Sequence, residues 1–124
     1  MSTEQNKTEI VRWEAAYNEG NLEKLDRLAD EQCTVDYALH GADGTSTGPA
    51  GLKQSVRAFV ANWSGMHVTL DDLIAEGDKV ASRWTVRGTD AKQHKKMALM
   101  MLGISRFVEG KVAEEWVLAL PLDD

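Results

Sequence analysis

Residues 66–89 read MHVTLDDLIAEGDKVASRWTVRGT, and this stretch decides the fold. Alternating residues flank the pair Gly77-Asp78 on both sides, which is typical of two antiparallel strands joined by a tight turn. Two more strands are predicted at 97–108 and 111–120, with a second turn at Glu109-Gly110 between them. Because long antiparallel strands twist, we expect their sheet to curve around whatever packs on its concave face.

The part of the chain before this hairpin is typical of three helices with one strand among them. Apolar residues at helical spacing predict a first helix that ends at Gly20 and a second that is capped by Asn21. A third helix is expected to begin at Pro49, since the missing N–H of proline does no harm in a first turn. Between the second and third helices, residues 33–40 alternate like a strand, and residues 41–48 are expected to form a loop.

The length and composition of the chain indicate one domain over residues 1–124. A chain of this length has the usual size of a single domain, and its apolar share of 43% is enough to bury one core. The helices can cover only one face of the predicted sheet. We therefore predict an α+β fold with three N-terminal helices packed on a curved mixed or antiparallel sheet.

The charge and hydropathy of the chain disfavour two kinds of partner. The net charge of −6 disfavours nucleic acid, because phosphate backbones attract clustered Lys and Arg. The densest basic cluster, Lys92, Lys95 and Lys96, is typical of a solvated loop. No stretch approaches the ~20 apolar residues of a membrane span, and no leader-like segment opens the sequence. We expect a cytoplasmic protein that binds neither nucleic acid nor membrane.

The sequence also lacks the patterns of a metal or cofactor site. Cys33 is the only cysteine, and it is expected to be a buried structural thiol. The three histidines lie far apart, and none has a carboxylate at a known ligand spacing. The glycine-rich segment 41–51 lacks the lysine of a phosphate-binding loop. We predict no metal site and no cofactor.

Short motifs spread through most of the chain point to a known family. They are the segments 18–22, 36–40, 66–80, 83–84 with 88–89, 103–107, and 109–112 with 115–116. In these segments the chain resembles the SnoaL-like polyketide cyclases. Their superfamily of cone-shaped α+β domains includes nuclear transport factor two, ketosteroid isomerase and scytalone dehydratase. The resemblance implies a cone-shaped domain with a homodimer through the sheet. Between its helices and its curved sheet we then expect a pocket for a small, largely apolar molecule. The resemblance also implies proton-transfer chemistry (cyclisation, isomerisation or dehydration) on a small cyclic or polyketide-like ligand.

Two positions depart from the pattern of these cyclases. In the family, an aspartate four residues after the tryptophan of the last strand serves as general acid/base, and here that position is Leu120. The family often has an inward-pointing histidine after Gly-Thr, and here that position is Asp90. Leu120 favours a non-catalytic carrier or sensor of a small ligand as the alternative to an enzyme. A further alternative is a protein-association domain that uses the outer sheet face.

Period-two alternation predicts which side chains face the pocket. In the strand at 79–89, the more apolar of the two alternating sets includes Trp84 and, one residue beyond the strand, Asp90. We place this set inward. In the last strand, the set with Glu114 and Trp116 is placed inward, because the family's catalytic position belongs to it. Aromatic rings and methionine suit flat apolar ligands, although such stripes are also typical of a core. The predicted ligand-binding residues are Trp13, Tyr37, Trp63, Trp84, Met97, Trp116, Leu118 and Leu120.

Three residues are predicted to carry the chemistry. Asp90, at the rim of an apolar cavity, would have a raised pKa suited to proton transfer, or it would simply start a turn. His40 could act as a base, or it could be a solvated loop residue. Tyr17 could donate a hydrogen bond to a substrate carbonyl and stabilise an enolate. Its alternative is a ring in the core with its hydroxyl in water.

Overall fold

Three helices and a short hairpin precede four long strands in the computed structural model, which describes residues 2–122. The elements, in chain order, are α1 Thr3–Glu19, α2 Leu22–Gln32, β1 Cys33–Gly41, β2 Gly44–Thr47, α3 Gly48–Ala61, β3 Trp63–Glu76, β4 Lys79–Asp90, β5 Lys96–Val108 and β6 Lys111–Pro121. This order confirms the predicted α+β class with N-terminal helices. None of the described helices is long and apolar enough to cross a membrane.

The helix ends form where the local sequence predicts them. Ser2 caps α1 because its side chain accepts a hydrogen bond from the backbone N–H of Gln5. In return, the side-chain oxygen of Gln5 accepts from the backbone N–H of Ser2. Gly20 ends α1 in the left-handed conformation, with φ of 67°, which glycine adopts without strain. Asn21 then caps α2 by accepting from the N–H of Lys24. The two helices therefore meet at a tight, well-defined corner.

The six strands form one mixed sheet in the order β2-β1-β6-β5-β4-β3. The pair β1 and β6 is parallel, and all the other neighbours are antiparallel. The prediction of a loop at 41–48 is wrong for the strand β2 inside it, which pairs Thr45 with His40 and Thr47 with Ala38. Threonine suits a pleated strand, and the backbone of β1 supplies the partner that the local sequence does not reveal.

A bulge in β6 changes which side chains face inward. Arg106 pairs with Glu114 whereas Phe107 pairs with Val112, so Ala113 is an extra residue on β6. Val112 and Ala113 are both buried, and the alternation restarts one residue later than expected. The inward placement of the set with Glu114 is therefore wrong, and the residues on its other parity face the interior.

Helix α1 closes one side of the sheet by covering the free edge of β3. The side chain of Asn18 donates to the carbonyl of Val68 at 2.8 Å and accepts from its N–H at 2.7 Å. The carboxylate of Glu14 accepts from the N–H of Leu70 at 2.7 Å. These bonds satisfy backbone groups that an edge strand would otherwise expose, and they fix α1 across the concave face.

Candidate functional site

A cavity of about 380 Å³ lies between α1, α3 and the concave face of the sheet. This volume falls within the range of small-molecule sites in proteins. Four aromatic rings line it, two from α1, one from α3 and one from β4: Trp13, Tyr17, Phe59 and Trp84. Most of the remaining wall is aliphatic, and the exposed residues Gly41 and Asp43 border the cavity at the β1–β2 hairpin. The site is mainly apolar and reaches solvent at this rim.

One carboxyl group, that of Glu115 on β6, lies inside this apolar wall. The hydroxyl of Tyr37 on β1 donates to its Oε1 at 2.6 Å, and the hydroxyl of Ser105 on β5 donates to its Oε2 at 2.5 Å. Both donors are buried, with exposed fractions of 0% for Tyr37 and 2% for Ser105. Each oxygen of the carboxyl group is thus held by its own neutral donor, which fixes the orientation of the group.

Burial raises the pKa of Glu115 above its ordinary value, although the hydrogen bonds from Ser105 and Tyr37 act in the opposite direction. The raised pKa means that desolvation of the charged form outweighs the two bonds that stabilise it. A carboxyl group with a raised pKa exchanges protons nearer to neutral pH than a solvated one. Such groups inside a cavity are candidates for general acid/base work.

Tyr17 contributes a hydroxyl group from the α1 wall of the cavity. Its ring lies 5.8 Å from that of Trp13 and 6.2 Å from that of Phe59. Burial, and then the nearby charge of Glu115, raise the pKa of Tyr17, so its hydroxyl stays protonated. No other residue in the range 2–122 hydrogen-bonds this hydroxyl. It is therefore free to donate to a bound molecule.

Hydrogen bonds hold two tryptophan rings of the wall in place. The indole N–H of Trp13 donates to the buried side chain of Gln32 at 2.7 Å, and Gln32 itself donates to the backbone carbonyl of Glu9 at 2.9 Å. The indole N–H of Trp84 donates to the hydroxyl of Ser82 at 2.9 Å. Both rings therefore keep a defined orientation without a ligand, and the cavity is largely pre-formed.

A family model described as a SnoaL-like domain matches residues 10–115. The chain belongs to this family. The match ends at Glu115, so it includes the elements that carry the buried carboxyl group and its two hydroxyl donors. Among proteins with curated descriptions, none matches the chain in sequence.

Several solved structures share the fold of this chain. IdmH from Streptomyces antibioticus, a proposed polyketide cyclase, is 25% identical over 93% of this chain and 91% of its own, with a TM-score of 0.76. A proposed polyketide cyclase from Bacillus cereus is 28% identical over 87% and 69% of the two chains, with a TM-score of 0.71. A protein with a ketosteroid isomerase-like fold from Catenulispora acidiphila, in complex with trimethylamine, is 20% identical over 88% and 82%, with a TM-score of 0.73.

Most of the predicted aromatic residues lie in or beside the cavity of this SnoaL-like domain. Trp13, Tyr17 and Trp84 line it directly, and Tyr37 lies behind the wall with its hydroxyl on Glu115. Trp63 and the predicted ligand-binding residue Met97 pack in a hydrophobic cluster that Tyr17 and Trp84 also join.

Asp90 does not point into the cavity. Its carboxylate accepts hydrogen bonds from the backbone N–H groups of Gln93 at 2.9 Å and Lys92 at 2.8 Å, at the start of the β4–β5 turn. These bonds lower its pKa instead of raising it. The turn-forming alternative considered from the sequence therefore describes this residue, because the backbone of its own loop satisfies the carboxylate.

The outer face of the sheet carries His40 and three of the predicted ligand-binding residues. The Nε2 atom of His40 lies 2.7 Å from a carboxylate oxygen of Glu114, and its ring stacks on Trp116 at 5.6 Å. Trp116 is 39% exposed, Leu118 63% and Leu120 56%. Their predicted inward placement is wrong, and the physical reason is the bulge at Ala113, which reverses the faces of β6.

The pocket residue that the sequence analysis missed is Glu115. The family's acid/base position, taken to face inward, places Glu114 inward instead, and a bulge of one residue leaves no strong signal in the sequence. The pair Glu114-Glu115 itself was a usable signal, because consecutive strand residues point to opposite faces and one of the two must face inward. Within residues 2–122, no group of three or more His, Cys, Asp or Glu side chains is arranged to hold a metal ion.

Proposed function

We propose that this SnoaL-like domain is an enzyme that transfers protons on a small, largely apolar carbonyl compound, such as a cyclic or polyketide-like ketone. The observation that carries the proposal is the carboxyl group of Glu115, which is held by two hydroxyls inside an aromatic cavity. A purely structural glutamate in a core would be unfavourable, because a buried carboxyl group costs free energy that an apolar residue does not.

In this proposal the two polar groups of the cavity have different roles. Glu115 in its ionised form removes a proton from the carbon next to the substrate carbonyl, and Tyr17 donates a hydrogen bond to the oxygen on which the negative charge develops. Glu115, now protonated, returns the proton to another atom of the substrate. Return to a different carbon gives an isomerisation, and return to a leaving hydroxyl gives a dehydration. Attack of the enolate carbon on a second carbonyl group, whose oxygen then takes the proton from Glu115, gives a cyclisation.

The family supports the choice of ligand. IdmH is a proposed polyketide cyclase, and the aromatic wall formed by Trp13, Tyr17, Phe59 and Trp84 suits a flat ring system of that kind. The acid/base group of this chain differs from the family pattern, because the position four residues after Trp116 is Leu120, on the outer face. Glu115 supplies a carboxyl group to the interior from a neighbouring position on the same strand.

Exchange of carbon-bound hydrogen tests the proposal without knowledge of the natural substrate. Bicyclic ketones such as 2-tetralone are incubated with the protein in D2O, and deuterium at the carbon next to the carbonyl is followed by NMR. We expect exchange above background with the wild-type protein and a loss of roughly 10²–10⁴-fold in rate for Glu115→Gln, which cannot accept the proton. Asp90→Asn is the matched control, since its carboxylate only caps a turn, and it should retain the wild-type rate.

A non-catalytic ligand-binding module is the alternative, favoured by Leu120 at the family's acid/base position. Under this alternative the ketones bind in the cavity, but neither the wild-type protein nor Glu115→Gln accelerates exchange. Equal exchange rates for these two proteins, together with measurable binding, would therefore replace the enzyme proposal by the binding proposal. A rate that falls with Asp90→Asn and not with Glu115→Gln would move the acid/base role to Asp90.

We also propose that the outer sheet face associates with a second copy of the chain. Large apolar side chains of β5 and β6 meet there as cross-strand pairs, Leu102 with Leu118 and Ile104 with Trp116, and all four are exposed. Such contiguous apolar surfaces on small domains are typical of association sites. A two-fold dimer would place each copy's patch on the other and cover both.

A further inference from the structure

The charges around the cavity are all of one sign. Glu115 lies inside it and Asp43 borders it. Among residues 2–122, no Lys, Arg or His side chain belongs to the lining. His40 on β1 and Arg106 on β5 pair with Glu114 on the opposite face of the sheet. A negatively charged group inside the cavity would therefore find no cation.

The hydroxyl groups of the lining could not replace a cation, because most of them already have partners. Ser105 donates to Glu115, and the hydroxyl of Ser82 accepts from Trp84. Ser55 lies 3.3 Å from the hydroxyl of Ser46. The hydroxyl of Tyr17 has no partner in the described chain, and Ser82 keeps its own O–H, since it only accepts from Trp84. Two neutral donors do not compensate the desolvation of a carboxylate or phosphate beside Glu115, which is severe in an apolar site.

We infer that the cavity selects against anions, so that its ligand carries no negative charge: an ester, ketone, phenol, alcohol or amine, but not the corresponding free acid. The inference rests on the cavity being the ligand site of the proposed function, but it does not depend on catalysis. It narrows the substrate to the uncharged or cationic members of the flat, apolar compounds that the aromatic wall accepts.

Three probes of the same shape and different charge test the inference. They are 2-naphthylmethanol, 2-naphthylmethylamine and 2-naphthoate, and their Kd values are measured by isothermal titration calorimetry at pH 8. We expect the alcohol and the amine to bind at least ~10-fold more tightly than the carboxylate, because like charges a few ångströms apart repel strongly at the effective dielectric constant of a protein. A carboxylate that binds as tightly as the alcohol would overturn the inference, and so would failure of all three probes to bind.

Variants identify the source of the selectivity. Glu115→Gln removes the interior charge and should raise the affinity for 2-naphthoate relative to the alcohol. Asp43→Lys places a cation at the exposed rim, where it cannot disturb the core, and should raise the same ratio if Glu115→Gln does not fold. Asp90→Asn is the control for a carboxylate outside the cavity and should leave the ratio unchanged. A ratio that shifts equally in all three variants would mean that net charge, not the cavity, sets the preference.

Hydrogen exchange and probe binding separate this inference from the proposed function. If no ketone exchanges its hydrogen but the carboxylate probe is rejected, the enzyme proposal fails and the anion selectivity stands. If exchange depends on Glu115 but the carboxylate binds as well as the alcohol, the selectivity fails and the enzyme proposal stands.

Discussion

Single residues decide the chemistry of this domain, and the clearest case is a pair of neighbouring glutamates with opposite surroundings. Burial raises the pKa of Glu115, whereas hydrogen bonds from His40 and then Arg106 lower the pKa of Glu114 on the other face. One strand thus carries a carboxyl group that tends to hold its proton and another that tends to release it.

The raised pKa predicts how Glu115 affects stability. Below its ordinary pKa the group is protonated in both the folded and the unfolded chain, and its burial carries no charge penalty. As the pH rises from the ordinary value to the higher folded value, the unfolded chain releases its proton first, so the free energy of unfolding falls. Glu115→Gln removes this loss. We expect the difference in Tm, variant minus wild type, to be larger at pH 8 than at pH 4. The increase should be roughly 3–5 °C for each ~1 kcal/mol of unfolding free energy that the substitution restores.

The neighbouring variant Glu114→Gln is the contrast for this thermal measurement. Because the folded pKa of Glu114 is lowered, its contribution is present above the ordinary pKa of a glutamate and disappears as the pH falls through the lower folded value. The variant should therefore lose stability at pH 8 and approach the wild-type protein in acid. The same sign of pH dependence in both variants would contradict the assignment of Glu115 to the interior.

Tyr37 should act on catalysis only through Glu115, as a positioning residue. Its hydroxyl stabilises the ionised carboxylate, so Tyr37→Phe should raise the pKa of Glu115 further. A carboxyl 13C NMR titration measures this shift directly, and the acid limb of a pH–rate profile should move to higher pH with it. Ser105→Ala should shift the pKa in the same direction. An unchanged titration in both variants would mean that the two hydroxyls do not affect the pKa of Glu115.

At the scale of elements, local patterns predict the helices and strands well, and the faces of the last strand poorly. Gly20, Asn21 and Pro49 mark helix ends by backbone chemistry that acts within a few residues. The parallel pairing of β1 with β6, and the strand β2 inside a predicted loop, depend on partners distant in sequence. The bulge at Ala113 depends on the pairing with β5, and it alone moved Glu115 inward and Trp116 outward. The candidate acid was therefore missed although most of the aromatic wall was found.

The edge of β3 offers a test of how α1 is held. Asn18→Ala removes two hydrogen bonds to the backbone of Val68, and we expect a loss of ~1–2 kcal/mol in the free energy of unfolding by urea denaturation. Gln54→Ala, at an exposed position of α3, is the control and should change the stability by less than ~0.5 kcal/mol. Equal effects of the two substitutions would show that the contact between α1 and β3 rests on packing alone.

At the scale of the whole molecule, the apolar outer face predicts the state of association. Leu118→Lys introduces a charge into the centre of the β5–β6 patch, and it should convert a dimer into a monomer in sedimentation or light-scattering measurements at micromolar concentration. Val11→Lys is the matched control, since Val11 is 42% exposed but lies on helix α1, away from the outer face of the sheet. A wild-type protein that is monomeric at these concentrations would contradict the dimer.

The bulge at Ala113 makes the two faces of β6 sensitive to insertions and deletions. The number of residues between the Glu109-Gly110 turn and Glu115 determines which face of the sheet each later side chain of β6 occupies. An insertion or deletion of one residue there has two possible outcomes. Either the bulge accommodates the change and both faces of the sheet stay as they are, or every later side chain of β6 moves to the opposite face. In the second case the carboxyl group of the cavity and the tryptophan of the outer face exchange places without any substitution. A single insertion or deletion would thus change the interior and the exterior of the domain together.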